Sequence, residues 1–302
     1  MEKLRSKLVL ILLMLTPSVL IIMGTPRIKS FKKSLCKLNR YIAVIGDSYV
    51  EALQVKNTDT FHAILDESLD SFDVYPIGMS GSPLSQYLAF ANYASDTFAP
   101  KMYVFLIISN DFDESFESVK KAPGFHYFDE ATGLKLMNYE PTIIKKLARQ
   151  SAFFRYLHLD LKLTTQVRRI LGSVVSNDDL RVNKSNNFLE IGRKASERFL
   201  QGIKELSLDS NVIIVLDGDR EAIYSGLKER DTNKPVNILF EELGKSAKTI
   251  TNVDVIDLHK IFASEYLIDK QKFNYNYDYH WNERGHAVVS QALADKLKRI
   301  GY

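Results

Sequence analysis

The sequence predicts a three-layer α/β/α domain around a central, mostly parallel five-stranded sheet, occupying residues 41–302. Two observations carry this. Five short runs, YIAVIGDS, FDVYPIGM, MYVFLIIS, NVIIVLDG and VDVIDLH, are continuously apolar rather than alternating, as strands covered on both faces must be. Between and after them lie stretches with apolar residues every three or four positions, and strand and helix in turn build a parallel sheet with helices on both sides.

The first 24 residues stand apart from this pattern. MEKLRSK precedes an uncharged run from Leu8 to Met23, interrupted only by Thr16, Pro17 and Ser18. The run is somewhat shorter than the roughly 20 residues that span a bilayer. No small-x-small cleavage site follows it, so we read an uncleaved signal-anchor at 1–24 rather than a removed signal peptide; a buried core helix is the other reading. Residues 25–40 form a basic linker containing Arg27, Lys29, Lys32, Lys33, Lys37 and Arg40. Counting Lys and Arg alone would keep the rest of the chain in the cytoplasm. Long domains behind such a segment often translocate regardless of flanking charge, and we expect a single-pass, extracytoplasmic arrangement.

From Tyr41 onward the elements follow in order. The strand YIAVIGDS leads into YVEALQV, read as the start of a helix, and TFHAILDESL is a second helical stretch. FDVYPIGM, the helix LSQYLAFANYASDTF and the strand MYVFLIIS come next. Residues 111–187 read as an insertion. It contains a basic amphipathic stretch in which Lys145, Lys146, Arg149, Arg155, Lys162, Arg168 and Arg169 oppose only Asp160, either a solvated face or a lid over a cleft. LEIGRKASERFLQGIKEL, NVIIVLDG, VNILFEELGKSAKTI, VDVIDLH and ERGHAVVSQALADKLKRI complete the alternation.

Composition narrows the function. The 40 basic and 37 acidic residues leave a net charge of +3, which does not suit a protein that coats nucleic acid. The single cysteine, Cys36, excludes an internal disulfide and a thiolate metal site. His62, His126, His158 and His259 have no metal-ligand spacing, and His286 falls inside the last helical stretch. Asp217 and Asp219 in VLDGDR could hold Mg²⁺ at a strand end. They lack the following Thr of phosphatases of the haloacid-dehalogenase type, however, and read equally as an Asp-Gly turn. No cofactor is expected.

Ser48 ends the first strand and begins the next helix, the corner at which open parallel sheets gather their ligand sites. Serine is also a favoured helix cap, so the position alone does not make it a nucleophile. The pattern G-x-S-x-G is not met, because Val50 follows two residues on. Partners are available in FNYNYDYHWNERGHAVV. Asp278 and His280 are two apart, and in extended chain such residues share a side, so the carboxylate reaches one imidazole nitrogen and leaves the other free. Asn282 is a suitable cap for the following helix and keeps DYH outside it.

IGDS in the first run, Ser80 and Gly81 after the second, Asn110 and Asp111 after the third, and the terminal Asp and His before WNERGH together resemble the SGNH (GDSL-like) hydrolase superfamily over residues 41–302. The resemblance implies a flavodoxin-like sheet and an ester-cleaving site. Ser48 would be the nucleophile, His280 the general base and Asp278 its orienting carboxylate. The N–H groups of Ser48 and Gly81 and the side-chain amide of Asn110 would form the oxyanion hole. The chain carries D-x-H where the family usually carries D-x-x-H, and ISND where many members have Gly before Asn. The shorter spacing followed by Trp281 resembles the branch that includes periplasmic polysaccharide O-acetyltransferases. It implies an acyl-ester or carbohydrate substrate, deacetylated or O-acetylated at the cell surface. A membrane-anchored module that binds glycan or protein without catalysis is the alternative.

Overall fold

The computed structural model describes residues 41–138, 184–276 and 278–302. The strands are β1 (Tyr41–Gly46), β2 (Asp73–Gly78), β3 (Met102–Ile107), β4 (His126–Asp129), β5 (Gly133–Leu136), β6 (Asn211–Leu216), β7 (Val253–Asp257), β8 (Asn274–Tyr275) and β9 (Asp278–Trp281). The helices are α1 (Ser48–Glu51), α2 (Phe61–Ser68), α3 (Leu84–Phe98), α4 (Lys184–Leu206), α5 (Arg220–Tyr224), α6 (Pro235–Ala247), α7 (Leu258–Asp269) and α8 (Glu283–Arg299).

Five strands pair in parallel in the order β2-β1-β3-β6-β7. Every residue of β1 and β3 is buried, which accounts for their unbroken apolar sequences. The edge strands β2 and β7 are only partly buried. Pro76, paired with Val44, is tolerated in β2 because an edge strand leaves one side free of ladder bonds.

Helices cover both faces. On one, Phe61 and Leu65 of α2, Phe262 of α7 and Val289, Leu293 and Leu297 of α8 join Ile42, Val44, Val104 and Ile213 of the sheet in a single apolar cluster. On the other, α4 lies close to two neighbours: Gly192 faces Leu239 of α6 and Gly202 faces Leu88 of α3, positions where a Cβ would collide with the leucine methyls. Phe199 of α4 meets Phe105 of β3 at 5.3 Å, in the edge-to-face arrangement that aromatic rings favour. The result is the three-layer, five-stranded arrangement expected from the alternation of apolar runs.

Some elements escaped the sequence reading. The expected helix after Ser48 is one turn long, because Ala52 takes a left-handed conformation with φ 49°, and a residue in that conformation turns the chain out of the helix. α7 abuts β7 without a loop, its first turn capped by Asp257, whose side chain accepts from the His259 N–H at 3.0 Å. The apolar run VDVIDLH therefore crosses an element boundary and hides the helix. The antiparallel pairs β4-β5 and β8-β9 are too short for alternation to register.

Residues 41–137 and 189–302 belong to one compact unit. The apolar run at 8–23, the basic linker with Cys36, and the basic stretch at 143–171 lie outside the described residues. Among the described residues, no helix is long and apolar enough to cross a membrane.

Candidate active site

The strand order places the site. From β1 the chain steps to β2 on one side, and β3 then lies on the other. The order thus reverses between β1 and β3 and opens a crevice beyond their carboxyl ends. Ser48 follows β1, Gly81 follows β2 and Asn110 follows β3. A pocket of about 490 Å³ occupies this crevice, and Ser48, Gly81, Asn110, Tyr279 and His280 line it.

His280 Nε2 stands 2.8 Å from Ser48 Oγ, and His280 Nδ1 stands 2.5 Å from Asp278 Oδ1. The same carboxylate accepts the His280 backbone N–H at 3.0 Å. This geometry follows from local structure. β9 is extended, so Asp278 and His280 project to one side. Asn282 caps α8, its side chain accepting from the Gly285 N–H at 3.0 Å, and so keeps the pair out of the helix. At the other end Asp47, not Ser48, is the cap of α1: its carboxylate accepts from the Tyr49 N–H at 3.0 Å. Ser48 is thereby the first helical residue, and its hydroxyl is not consumed by capping.

Gly81 has φ +75°, a left-handed conformation that glycine adopts freely. Its carbonyl is held by Lys120 Nζ at 2.6 Å, and Lys120 also pairs with Glu114 at 2.5 Å. The nearby Gly78 does different work. A Cβ there would fall 2.6 Å from the Glu51 nitrogen and 2.8 Å from Val50 Cβ, so Gly78 lets α1 pack directly on β2. Asn110 sits in a turn fixed by its neighbour: Asp111 Oδ2 accepts from the Ile108 N–H and from the Tyr87 hydroxyl, each at 2.8 Å, while the Asp111 carbonyl accepts from the Leu84 N–H at 3.3 Å.

Burial sets the charges. Desolvation pushes Asp47 up to about 6, against the pull of the Tyr49 and Ser48 hydrogen bonds. Asp111, fully buried, is raised well above the carboxylate range by desolvation and by the nearby Asp47. Asp278 goes the other way. Its modest burial raises it, but the backbone N–H, ring and charge of His280 more than offset this and hold it low, in the ionised form.

Sequence reasoning missed the support around His280. Arg220 Nη1 reaches both Asp217 oxygens at 2.7 and 2.8 Å, and Arg220 Nη2 donates to the Tyr49 hydroxyl at 2.7 Å and the Tyr279 carbonyl at 2.9 Å. The Tyr49 hydroxyl also donates to the Tyr279 carbonyl at 2.8 Å, and its ring lies 4.8 Å from that of His280. The spacing of Asp217 and Arg220, three apart in DGDR, was the available signal. Both carboxylates of that turn, which the sequence offered to Mg²⁺, are engaged by side chains of the chain itself. Asp217 is taken by Arg220 and the Trp281 indole N–H, and Asp219 by Lys234 at 2.9 Å and Asn237 at 2.8 Å. Among the described residues no cluster of three or more His, Cys, Asp or Glu side chains is placed to hold a metal.

His62 and His286 are buried structural groups. His62 Nε2 donates to the Val50 carbonyl at 3.1 Å and His286 Nδ1 accepts the Phe61 N–H at 3.2 Å. A second cavity of about 460 Å³, lined by residues of α3, α4 and the β4-β5 hairpin, shares no residue with the first and contains no histidine.

No family model and no curated protein matches the sequence. Among solved structures, the chain is similar to a member of the lipolytic G-D-S-L family from Veillonella parvula, at 14% identity and TM-score 0.49 over 86% of this chain and 99% of that one. It is also similar to an α/β hydrolase from the metagenome of Lake Arreo, at 14% identity and TM-score 0.49 over 87% and 97% of the two chains. A third is an acetyl xylan esterase, at 12% identity and TM-score 0.46 over 85% and 99%. In this chain's own geometry, each of the four sequence blocks contributes a residue to one pocket at the carboxyl ends of the parallel strands: Ser48, Gly81, Asn110 and His280.

Proposed function

We propose that the protein is a serine-dependent acyl-ester hydrolase or O-acyltransferase working through an acyl-serine. The observation that carries this is the unbroken chain Asp278–His280–Ser48, with contacts of 2.5 and 2.8 Å, opening into the pocket. With Asp278 ionised and holding the proton on Nδ1, His280 Nε2 is free to accept from Ser48. Ser48 Oγ attacks the ester carbonyl as its proton passes to His280, and the carbonyl oxygen becomes an oxyanion. The N–H groups of Ser48 and Gly81 and the Asn110 amide are the donors assigned to it. Collapse expels the alcohol, which takes the proton from His280 and leaves acyl-Ser48. Water or an acceptor hydroxyl then gives its proton to His280 and attacks the acyl carbon; collapse expels Ser48 Oγ, which takes that proton back from His280 and regenerates both groups.

The substrate we assign is the acetyl ester of a cell-envelope or surface polysaccharide. The pocket rim supports this. Tyr279 is 70% exposed, and Lys234 and Glu221, which also line the pocket, keep part of their surface open to solvent. The tyrosine offers an aromatic face for a sugar ring, and Lys234 and Glu221 offer a donor and an acceptor for sugar hydroxyls. On this reading the apolar run at 8–23 anchors the chain and the catalytic unit faces the outside of the membrane.

Two measurements test the proposal. A fluorophosphonate probe labels the wild-type chain at Ser48 and does not label Ser48→Ala. Mass spectrometry of surface glycan from cells expressing one or the other shows a change in acetyl content. A folded wild type that resists the probe would make the chain a binding module instead; labelling without a change in glycan acetyl would remove the polysaccharide but keep the esterase.

A further inference from the structure

His280 reaches Ser48 from a segment of the chain 232 residues away. A hydrogen bond between such partners is only as well placed as the backbone on either side of it. β9 pairs with just two residues of β8, too little to hold a strand by itself. Other groups hold it. On the C-terminal side, Trp281 is fully buried, its ring meeting Tyr49 at 5.0 Å and its indole N–H directed at Asp217 at 3.3 Å. On the N-terminal side the Tyr279 ring is exposed, but its carbonyl accepts from two donors, Tyr49 at 2.8 Å and Arg220 at 2.9 Å.

These contacts close a triangle. Arg220 Nη2 donates to Tyr49, Tyr49 donates to Tyr279, and Arg220 Nη2 donates to Tyr279 as well. Tyr49 directly follows Ser48, so the triangle ties the residue after the serine to the residue before the histidine. Arg220 is itself fixed by its fork on Asp217, at the end of β6. Stability alone is a poor reason for this arrangement, since a buried ion pair contributes little net stability. Moreover, Arg220 Nε is left without a partner among the described residues. Burial also keeps the Tyr49 phenol protonated, raising it well above its ordinary range, so it remains a donor.

We propose that Arg220, acting with Tyr49, is a positioning residue that sets the distance and angle between His280 and Ser48. This rests on the assignment of Ser48 and His280 as nucleophile and base. Arg220 touches neither reacting atom; it works through the Tyr279 carbonyl and the Tyr49 hydroxyl. Loosening the triangle lets β9 drift, and a misplacement of about 1 Å in such a pair is worth on the order of a hundredfold in rate.

The test uses the full chain and two conservative variants. Tyr49→Phe removes the hydroxyl and keeps the ring beside His280. Arg220→Lys keeps the charge and loses the fork. For each, the rate and the end point of fluorophosphonate labelling are measured together with kcat and KM for p-nitrophenyl acetate. The expected result is labelling of the same fraction of molecules as wild type, at a rate lower by about tenfold or more. A similar fall in kcat and a KM within about threefold should accompany it. Wild-type labelling rates in both variants overturn the proposal. So does a reduced end point with an unchanged rate per labelled site, which marks a folding role, and so does a rise in KM alone, which marks a substrate contact. If the wild type itself does not label, the assignment of Ser48 falls and the positioning role falls with it.

Discussion

Asp47 Oδ2 lies 3.1 Å from Ser48 Oγ, so the serine proton has a second acceptor besides His280. When Ser48 turns its proton to His280, an ionised Asp47 faces it with lone pairs alone, whereas a protonated Asp47 donates to it. Burial favours the protonated form and outweighs the hydrogen bonds from Tyr49 and Ser48, which favour the ionised one.

That preference has a measurable sign. Asp47 is raised from 3.8 to about 6 in the folded chain. Below pH 3.8 both states hold the proton; between 3.8 and about 6 only the folded state does, so stability from this group is lost as pH rises through that window. At about 1.4 kcal/mol per pH unit the loss is about 3 kcal/mol. Urea unfolding of wild type and Asp47→Asn at about pH 4 and pH 7 should show a difference between the two chains that shifts in favour of the variant at the higher pH.

The buried imidazoles pull the other way. Desolvation lowers His62 from 6.5 to about 4 and, with help from the nearby His62 and His280 charges, lowers His286 from 6.5 to about 3. Depressed groups of this kind contribute stability above pH 6.5 that is lost as pH falls through their folded values. They act against the two raised carboxylates, Asp47 and Asp111, so their contribution is read by difference. Between about pH 4 and pH 6.5 the urea midpoint of His286→Gln should shift upward with pH less than that of wild type.

Asn110 lines the pocket from the turn braced by Asp111. Removing one oxyanion donor typically costs about a hundredfold to a thousandfold in kcat. Asn110→Ala should lower kcat for p-nitrophenyl acetate by about that factor with little change in KM, and should not abolish probe labelling.

The two glycines after β2 should respond differently. Gly81→Ala places a side chain at φ +75° with Lys120 Nζ 3.2 Å from the new Cβ. A left-handed conformation costs a residue with a Cβ about 1–2 kcal/mol, here at a position that lines the pocket. Gly78→Ala drives a methyl into the α1 backbone at 2.6 Å and must push Ser48's helix off β2. Loss of activity should therefore be greater for Gly78→Ala, measured as kcat per labelled site.

Asp278→Asn keeps the size of the side chain and removes its charge. Without the carboxylate, the proton on Nδ1 is no longer held and the imidazolium formed during attack is not stabilised. A fall in kcat of about 10² to 10⁴ is expected. The fold should be retained by circular dichroism, because Asp278 is only partly buried.

Much of this was readable in one dimension. Continuous apolar runs marked the strands because β1 and β3 are covered on both faces, and the Asn282 cap put Asp278 and His280 in extended chain, where spacing alone makes them neighbours. The meeting of Ser48 and His280 was not legible in the same sense, since it depends on the reversal of strand order between β1 and β3 and on the packing of α8 against α2. Nor was the use of Asp217. A carboxylate at a strand end reads alike whether it awaits a metal or an arginine, and only the folded chain brings Arg220, Tyr49 and the Tyr279 carbonyl together. Local sequence determines which way a side chain points along its own element; which distant element it then faces is decided by how the layers pack.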